Sequence, residues 1–182
     1  MPISRTNRKG QTFFLCQGIT KTSKPRYFFS KIAAQNVLDE IPAGHHIEES
    51  INGVVSLVKD RKPAILPEEI QLVEETLRRH PKGNNYRVSA KGKQIIVHER
   101  LGPNAEDMAD IFGSSLPIYT RQKHLEGMLA MLDKNAQYSP MLHFKLVNAT
   151  YRTFCAERAT YVSSLQEWIG ICGWGPLQSL VD

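Results

Sequence analysis

Acidic residues are absent from the first 38 positions of the chain, where seven lysine and arginine residues occur. The imbalance extends further, because residues 1–100 contain 17 Lys and Arg against 10 Asp and Glu, whereas residues 101–182 contain 6 against 8. A charge asymmetry of this kind is typical of a protein whose basic part meets a polyanion. We therefore expect a polyanionic partner for the first half of the chain.

Long apolar runs are also missing. No stretch approaches the roughly 20 apolar residues that a membrane-spanning helix requires. The polar, basic segment from Met1 to Gly10 is not followed by the apolar core of a signal peptide. The cysteines Cys16, Cys155 and Cys172 are odd in number and far apart, which is typical of reduced thiols rather than of a disulfide framework. These absences predict a cytoplasmic protein that contacts no membrane.

The chain also lacks internal repeats, low-complexity tracts and a phosphate-binding glycine loop. Its one G-x-G, at Gly173 and Gly175, follows a predicted helix instead of a strand and so does not match a dinucleotide-binding loop. With 41% hydrophobic and 23% charged residues, the composition is that of a folded globular protein. The sequence therefore predicts a folded chain that needs no cofactor.

Four pairs of short apolar segments predict β-hairpins. The second pair flanks Asn52-Gly53, which is the strongest short-range hairpin signal. In the third pair, a Lys91-Gly92 turn places the apolar residues of both strands on one face, as a half-buried sheet requires. The predicted strand pairs are Thr12 to Gln17 with Arg26 to Ser30, His45 to Ile51 with Val54 to Lys59, Tyr86 to Ala90 with Lys93 to Glu99, and Met141 to Val147 with Thr150 to Ala156.

Helices are predicted between and after the hairpins. Pro67 opens the segment PEEIQLVEETLRRH, whose acidic start and basic end suit the helix dipole. The leucine and methionine residues between positions 125 and 132 recur at helical spacing. Shorter helices are expected from Asn104 to Phe112 and, after a capping box at Ser164 and Glu167, towards Cys172.

This order of elements predicts an α+β fold, with about four antiparallel β-hairpins interleaved with three to four helices and no βαβ units. The composition changes at the segment Leu101-Gly102-Pro103-Asn104. We therefore expect a basic, hairpin-rich subdomain over residues 1–101 and a helical subdomain with one hairpin over residues 102–182, either separate or packed into one domain.

The region from Arg5 to Lys31 alternates basic and aromatic residues. Nucleic-acid surfaces need both, because cations displace phosphate counterions and flat rings stack on unpaired bases. We therefore predict a protein that binds DNA or RNA and is not an enzyme. The competing interpretation places the rings in the core and the charges on a solvated rim. The predicted contact residues are Arg5, Arg8, Lys9, Lys21, Lys24, Arg26, Tyr27, Phe28 and Lys31.

Two other functions stay open at the level of sequence. The same basic face would suit an acidic protein partner, in an interaction or regulatory module. A metal-dependent nuclease would use Glu48 or Glu49 with Asp60 and Lys62, since phosphodiester cleavage needs carboxylates around a divalent ion and a lysine near the phosphate.

A metal site at His45 and His46 is not expected. No third ligand follows at a recognisable spacing, and a turn at Asn52-Gly53 would place Lys59 opposite His46, where a cation repels a metal ion. The sequence therefore predicts no metal.

Cys155 and His143 form the one local thiol–imidazole pair. A turn at Asn148-Ala149 would place Cys155 on the apolar face of its hairpin and His143 on the other face. We therefore predict an unreactive thiol inside the core, and the same for Cys16 and Cys172, which lie in apolar runs.

The stretch from KTSKPRYFFS through IPAGHHIEESINGVVSLVK, together with the run TFCAER, resembles bacterial proteins to which no function is assigned. The resemblance covers roughly half of the chain. It implies no activity, cofactor or catalytic residue, so the functional expectation comes from the residues alone.

Overall fold

The computed structural model of the chain describes residues 1–33, 36–102, 108, 118–162 and 165–181. Contacts within the backbone divide the chain into two compact units, Met1–Lys62 (unit 1) and Pro63–Asp182 (unit 2). The division falls after Lys62 and not after residue 101 as the composition suggested. The strand that ends at Leu101 pairs with the strand that begins at Gln137, so both belong to one sheet.

Unit 1 contains two small antiparallel sheets. β1 (Ser4–Thr6), β2 (Thr12–Ile19) and β3 (Pro25–Ser30) form a sheet in the order β1-β2-β3, and β4 (His45–Glu49) pairs with β5 (Val55–Lys59). The segment around Val37 also pairs with β2, beyond the point where β1 ends. The backbone N–H of Leu38 donates to the carbonyl of Leu15 over 2.8 Å, and Val37 bridges Cys16. Leu15 and Cys16 are completely buried.

The turn between β4 and β5 is one residue longer than predicted. Ser50 N donates to Val54 O over 2.9 Å, so Ile51, Asn52 and Gly53 form a three-residue turn. Gly53 adopts a φ of 77°, which the last residue of such a turn requires. The prediction that Lys59 faces His46 is therefore wrong, because Lys59 lies opposite His45.

Unit 2 contains three helices and one antiparallel sheet within the described residues. The strands β6 to β10 lie in chain order, each beside the next, and β11 pairs with β9. The elements are α1 (Pro67–Arg79), β6 (Tyr86–Lys91), β7 (Gln94–Leu101), α2 (Ile118–Asn135), β8 (Gln137–Asn148), β9 (Thr153–Val162), β10 (Leu165–Gly170), β11 (Gly175–Pro176) and α3 (Gln178–Val181). Mixed α+β structure with antiparallel sheets is confirmed. None of the helices in the described part of the chain has the length and apolar character needed to cross a membrane.

One face of this sheet packs into a core with α1. Val88 lies opposite Val97, and Ala90 opposite Ile95, so the predicted apolar face of the third hairpin is confirmed. The predicted Lys91-Gly92 turn is wrong, because Lys91 pairs with Gln94 and the turn is Gly92-Lys93. The buried cluster also includes Val73 of α1. Its remaining buried members are Ile65, Phe144, Leu146, Phe154, Ala156 and Leu177.

Helix α1 is held at its start by a partly buried ion pair. Arg152, in the β8–β9 turn, donates through Nε to Glu69 Oε1 over 2.8 Å and through a second nitrogen to the other carboxylate oxygen. The same guanidinium donates to the carbonyl of Ala64. Since an arginine fork matches a carboxylate in two parallel bonds, the pair fixes both the position and the direction of the helix start.

The helix predicted from Ser164 and Glu167 is wrong. Residues Leu165–Gly170 form strand β10, with Trp168 opposite Ala159 of β9. Pairing with a strand that is already part of the sheet outweighs a local capping signal, because propensity is a weak preference that tertiary context overrides. The short helix predicted from Asn104 to Phe112 lies, apart from the helical Met108, outside the described residues.

The turn between β8 and β9 is also longer than predicted, and this moves Cys155 to the other face of the sheet. The register shifts between Leu146 and Asn148, and Cys155 lies opposite Lys145. The predicted turn would have paired Cys155 with Leu142, so the register is displaced by three residues. A displacement by an odd number of residues exchanges the two faces of a strand, so Cys155 shares its face with His143. Burial raises the pKa of the Cys155 thiol, and the nearby Glu157 carboxylate raises it further.

The three thiols therefore differ in environment. Cys16 is buried, as predicted, whereas Cys155 is partly exposed and Cys172 is exposed. The prediction of a core position is wrong for Cys172, because the apolar run that contains it continues beyond the end of β10.

Candidate nucleic-acid interface

The net charge of the chain lies entirely in unit 1. Residues 1–62 contain ten Lys and Arg against five Asp and Glu, a net charge of +5, whereas residues 63–182 contain thirteen of each. The net charge therefore changes at the boundary between the units, and a division of the sequence at residue 100 does not show this change clearly. A polyanion would be attracted to unit 1.

The β2–β3 hairpin sorts the predicted contact residues by face. Residues opposite each other in an antiparallel pair point to the same side of the sheet. Gly18 lies opposite Arg26 and Cys16 opposite Phe28, so Arg26 and Phe28 share one face. Tyr27 lies opposite Gln17 and points to the other face.

The turn that joins these strands is closed by hydrogen bonds. Thr20 N donates to Lys24 O over 2.9 Å, and Lys24 N donates to the Thr20 hydroxyl over 3.1 Å. Ser23 adopts a φ of 58°, in the left-handed region, and its N–H donates to Thr20 O over 2.9 Å. Lys21 and Lys24 are both exposed. The turn therefore presents two lysines from a defined backbone rather than from a loose loop.

Arg26 and Phe28 follow one another along the same face of β3, and Lys24 lies in the turn directly before the strand. Alternate residues of a strand are about 6.7 Å apart, so Arg26 and Phe28 are neighbours on this face, with Lys21 and Lys24 in the adjoining turn. We call Lys21, Lys24, Arg26 and Phe28 the tip surface. Among the residues that the structure describes, no acidic side chain lies within ion-pair distance of its three cations.

The Phe28 ring rests on backbone. A Cβ atom placed on Gly18 would lie 3.3 Å from Cε1 of Phe28, so the ring uses space that any other residue would fill. The side chain is 37% exposed. A ring that packs against a strand and keeps part of its surface open to solvent can offer that part for base stacking.

A second surface lies on the other face of the same sheet. Arg5 is opposite Phe13 in the β1–β2 pair, and the Lys31 ammonium lies 5.8 Å from the centre of the Phe13 ring. We call Arg5, Phe13 and Lys31 the second surface. Its ring is partly buried and in contact with a cation, so it offers less area for stacking than Phe28 does.

The other predicted contact residues lie near other parts of unit 1. Tyr27 meets the edge of the His45 ring, with 5.9 Å between ring centres. Arg8 and Lys9 lie beside Gly53, where a Cβ would meet a side-chain carbon of each at 3.6 Å. The nine predicted residues are therefore not one surface. Sequence reasoning missed Gly18, although a glycine that faces an aromatic strand is a recognisable signal of close approach.

Two of the three carboxylates proposed for a nuclease, those of Asp60 and Glu49, form hydrogen bonds with other residues, and Glu48 is exposed. Asp60 lies 2.6 Å from Nδ1 of His46, and Glu49 accepts the backbone N–H of Arg8 over 2.7 Å. Within the described ranges, no three His, Cys, Asp or Glu side chains are grouped so that they could hold a metal ion. The geometry therefore gives no support to metal-dependent cleavage at this hairpin.

Comparison of the chain with protein-family models, curated proteins and solved structures finds no match.

Proposed function

We propose that unit 1 binds single-stranded DNA or RNA through the tip surface. The observation that carries the proposal is the pair of Arg26 and Phe28 on one face of β3, directly after Lys24 in the turn. The ring is exposed, and neither cation has an ion-pair partner among the described residues. Lys21 lies in the same turn. A basic groove with aromatic platforms is the arrangement by which proteins hold single strands without reading their sequence.

Two physical contributions are expected. Three phosphate contacts give a slope of log K against log salt of about −2.1 on a single strand. Stacking of one base on Phe28 contributes about 1–3 kcal/mol. Duplex nucleic acid keeps its bases stacked internally, so it would gain the first contribution and not the second.

The test compares two triple variants of the full chain by fluorescence anisotropy with a labelled single strand over a salt series. Lys21→Ala, Lys24→Ala and Arg26→Ala together should remove about two units of salt slope. The matched control replaces Lys59, Arg61 and Lys62, which are also two lysines and one arginine, exposed and in unit 1. The control changes the net charge by the same amount, so it should leave most of the slope in place.

Equal losses in the two triple variants would contradict the proposal, because charge alone would then matter. Competition by poly-glutamate as strong as that by a single strand of equal charge would favour an acidic protein partner instead. Absence of binding to any single strand at low salt would end the proposal.

A further inference from the structure

A second basic region lies in unit 2, although that unit has no net charge. Residues 76–98 contain six Lys and Arg and no Asp or Glu. The end of α1, the following turn and β6 line an open pocket of about 420 Å³, mostly with residues of this region. That volume lies within the range of about 300–1,000 Å³ that is usual for small-molecule sites. Side chains with polar groups at the pocket are those of Glu74, Arg78, His80, Asn84, Tyr86 and Arg87.

Arg87 is held in place at the pocket. Its Nη1 donates to the carbonyls of Tyr86 over 2.8 Å and Asn84 over 3.2 Å, and its guanidinium lies 5.4 Å from the centre of the Tyr138 ring. Nε and Nη2 form no hydrogen bond with any residue that the structure describes. The fork is thus oriented by three contacts while two of its nitrogens keep donors for a ligand.

His80 is also oriented. Its Nδ1 accepts the backbone N–H of Lys82 over 3.1 Å, so the neutral ring carries its proton on Nε2 and donates there. The ring meets Tyr86 edge to face, with 5.8 Å between centres. Arg78, two residues earlier in the last turn of α1, forms no ion pair within the described residues.

Glu74 is the one carboxylate at the pocket. It lies one turn before Arg78 on α1. A carboxylate repels a phosphate but accepts hydrogen bonds from hydroxyl groups, as acidic residues do for the ribose of dinucleotides. The pocket therefore offers donors for an anion and an acceptor for hydroxyls.

We propose that this pocket binds a nucleoside monophosphate, with Arg78, His80 and Arg87 holding the phosphate and Glu74 accepting the ribose hydroxyls. The C-terminal end of a helix is negative and attracts cations, so recognition of the anion comes from these side chains and not from the helix. The site is separate from the tip surface and does not depend on nucleic-acid binding by unit 1.

The first test is calorimetric titration of the full chain with AMP, adenosine and inorganic phosphate. AMP should bind at least about tenfold more tightly than adenosine, because charge-assisted hydrogen bonds to the phosphate are lost without it. AMP should also bind more tightly than inorganic phosphate, which lacks the hydroxyls. Equal binding of AMP and adenosine, or no binding of AMP at millimolar concentration, would overturn the proposal.

The chain offers a matched pair of variants. Arg78 and Arg79 are neighbours in the last turn of α1 and both exposed, but only Arg78 is at the pocket. Arg78→Ala should weaken AMP binding about tenfold, whereas Arg79→Ala should change it by less than about twofold, as expected for a screened charge. Equal losses would overturn the assignment.

The nucleotide could be free or the 5′ end of a nucleic-acid chain. The variant with Lys21, Lys24 and Arg26 replaced by alanine should still bind AMP, so failure of the tip surface and failure of the pocket are distinguishable. In that variant, a 5′-phosphorylated dinucleotide that binds as tightly as AMP supports the pocket with a chain end as ligand. Weaker binding of the dinucleotide than of AMP supports the pocket with a free nucleotide.

Discussion

Unit 1 carries the whole net charge of the chain, and unit 2 carries its larger hydrophobic core. In unit 1 the completely buried side chains among the described residues are Leu15 and Cys16. Unit 2 packs helix α1 against one face of its sheet, around a cluster of nine buried residues, and its charges cancel. The difference indicates a division of roles, since buried apolar area stabilises a fold while clustered surface cations attract polyanions. Four variants or conditions can break or sharpen this comparison.

The largest effect is expected in the core of unit 2. Phe154 is completely buried, so Phe154→Ala should lower the free energy of unfolding by about 3–5 kcal/mol, measured by denaturant titration. Binding of a single strand by unit 1 should persist in this variant. Trp174→Ala, at a side chain that is 74% exposed, is the control and should cost less than about 0.5 kcal/mol. If the Phe154→Ala variant loses single-strand binding at the same denaturant concentration at which it unfolds, stability and binding are not divided between the units.

A smaller effect is expected at the tip surface. Phe28→Leu keeps an apolar side chain over Gly18 but removes the flat ring, so single-strand affinity should fall by about 1–3 kcal/mol. The unfolding free energy should change little by comparison. Phe29→Leu is the control, because Phe29 points to the other face of the sheet and is less exposed than Phe28; it should affect stability more than affinity. The reverse pattern would assign Phe28 to the core.

Acid should weaken unit 2. Burial lowers the pKa of His98 and also that of His143, for which the neighbouring His98 and Lys145 act in the same direction while Glu157 opposes them. Below the unfolded-state value of about 6.5 the unfolded chain binds protons that the folded unit does not, so stability falls as pH decreases towards the folded-state values.

Denaturant midpoints of the full chain at pH 7.5 and 5.5 measure this effect. The His98→Gln, His143→Gln double variant is the control and should show a flatter dependence on pH. His98 Nε2 lies 2.9 Å from the Ser89 hydroxyl and its Nδ1 is buried without a partner among the described residues, which is consistent with a neutral ring. A midpoint that rises on acidification would contradict the expectation.

The smallest effect concerns the rates of thiol labelling, which report on local access and not on stability. Cys172 should react fastest with an alkylating reagent, because it is exposed. Cys155 should react more slowly, since its pKa is raised and the thiolate is the reactive form. Cys16 in unit 1 should react only as the unit opens. Mass spectrometry of partially labelled protein gives the order, and rapid labelling of Cys155 would contradict it.

The hairpins and the first helix could be predicted because their signals are local. Glycine turns, alternating apolar residues and the proline at the start of α1 each act within a few residues. Three registers were wrong. The turns at Gly53 and Arg152 each contain more residues than the sequence suggested, and the turn at Gly92 lies one residue later. Strand β10 was missed because its stability comes from pairing with β9, and a local pattern cannot show a distant partner.

The residue types of the tip surface could be predicted from the sequence, but not which individual residues share that surface. Basic and aromatic residues identify the region, yet Tyr27 and Phe28 are neighbours on a strand and so must point to opposite faces. The position of the Phe28 ring depends on the absence of a side chain at Gly18, which lies on the neighbouring strand β2. The pocket in unit 2 depends on three elements meeting, which no local pattern indicates.

The pair formed by Arg152 and Glu69 also has a consequence for the order of folding. Its partners are 83 residues apart in the chain. Closing a loop of that length costs conformational entropy, and this cost arises before the ion pair can stabilise the fold. The β6–β7 hairpin, closed by a turn at Gly92, needs no such closure. We therefore expect the hairpin to form early and the start of α1 to dock late, so replacement of Arg152 should accelerate unfolding more than it slows folding.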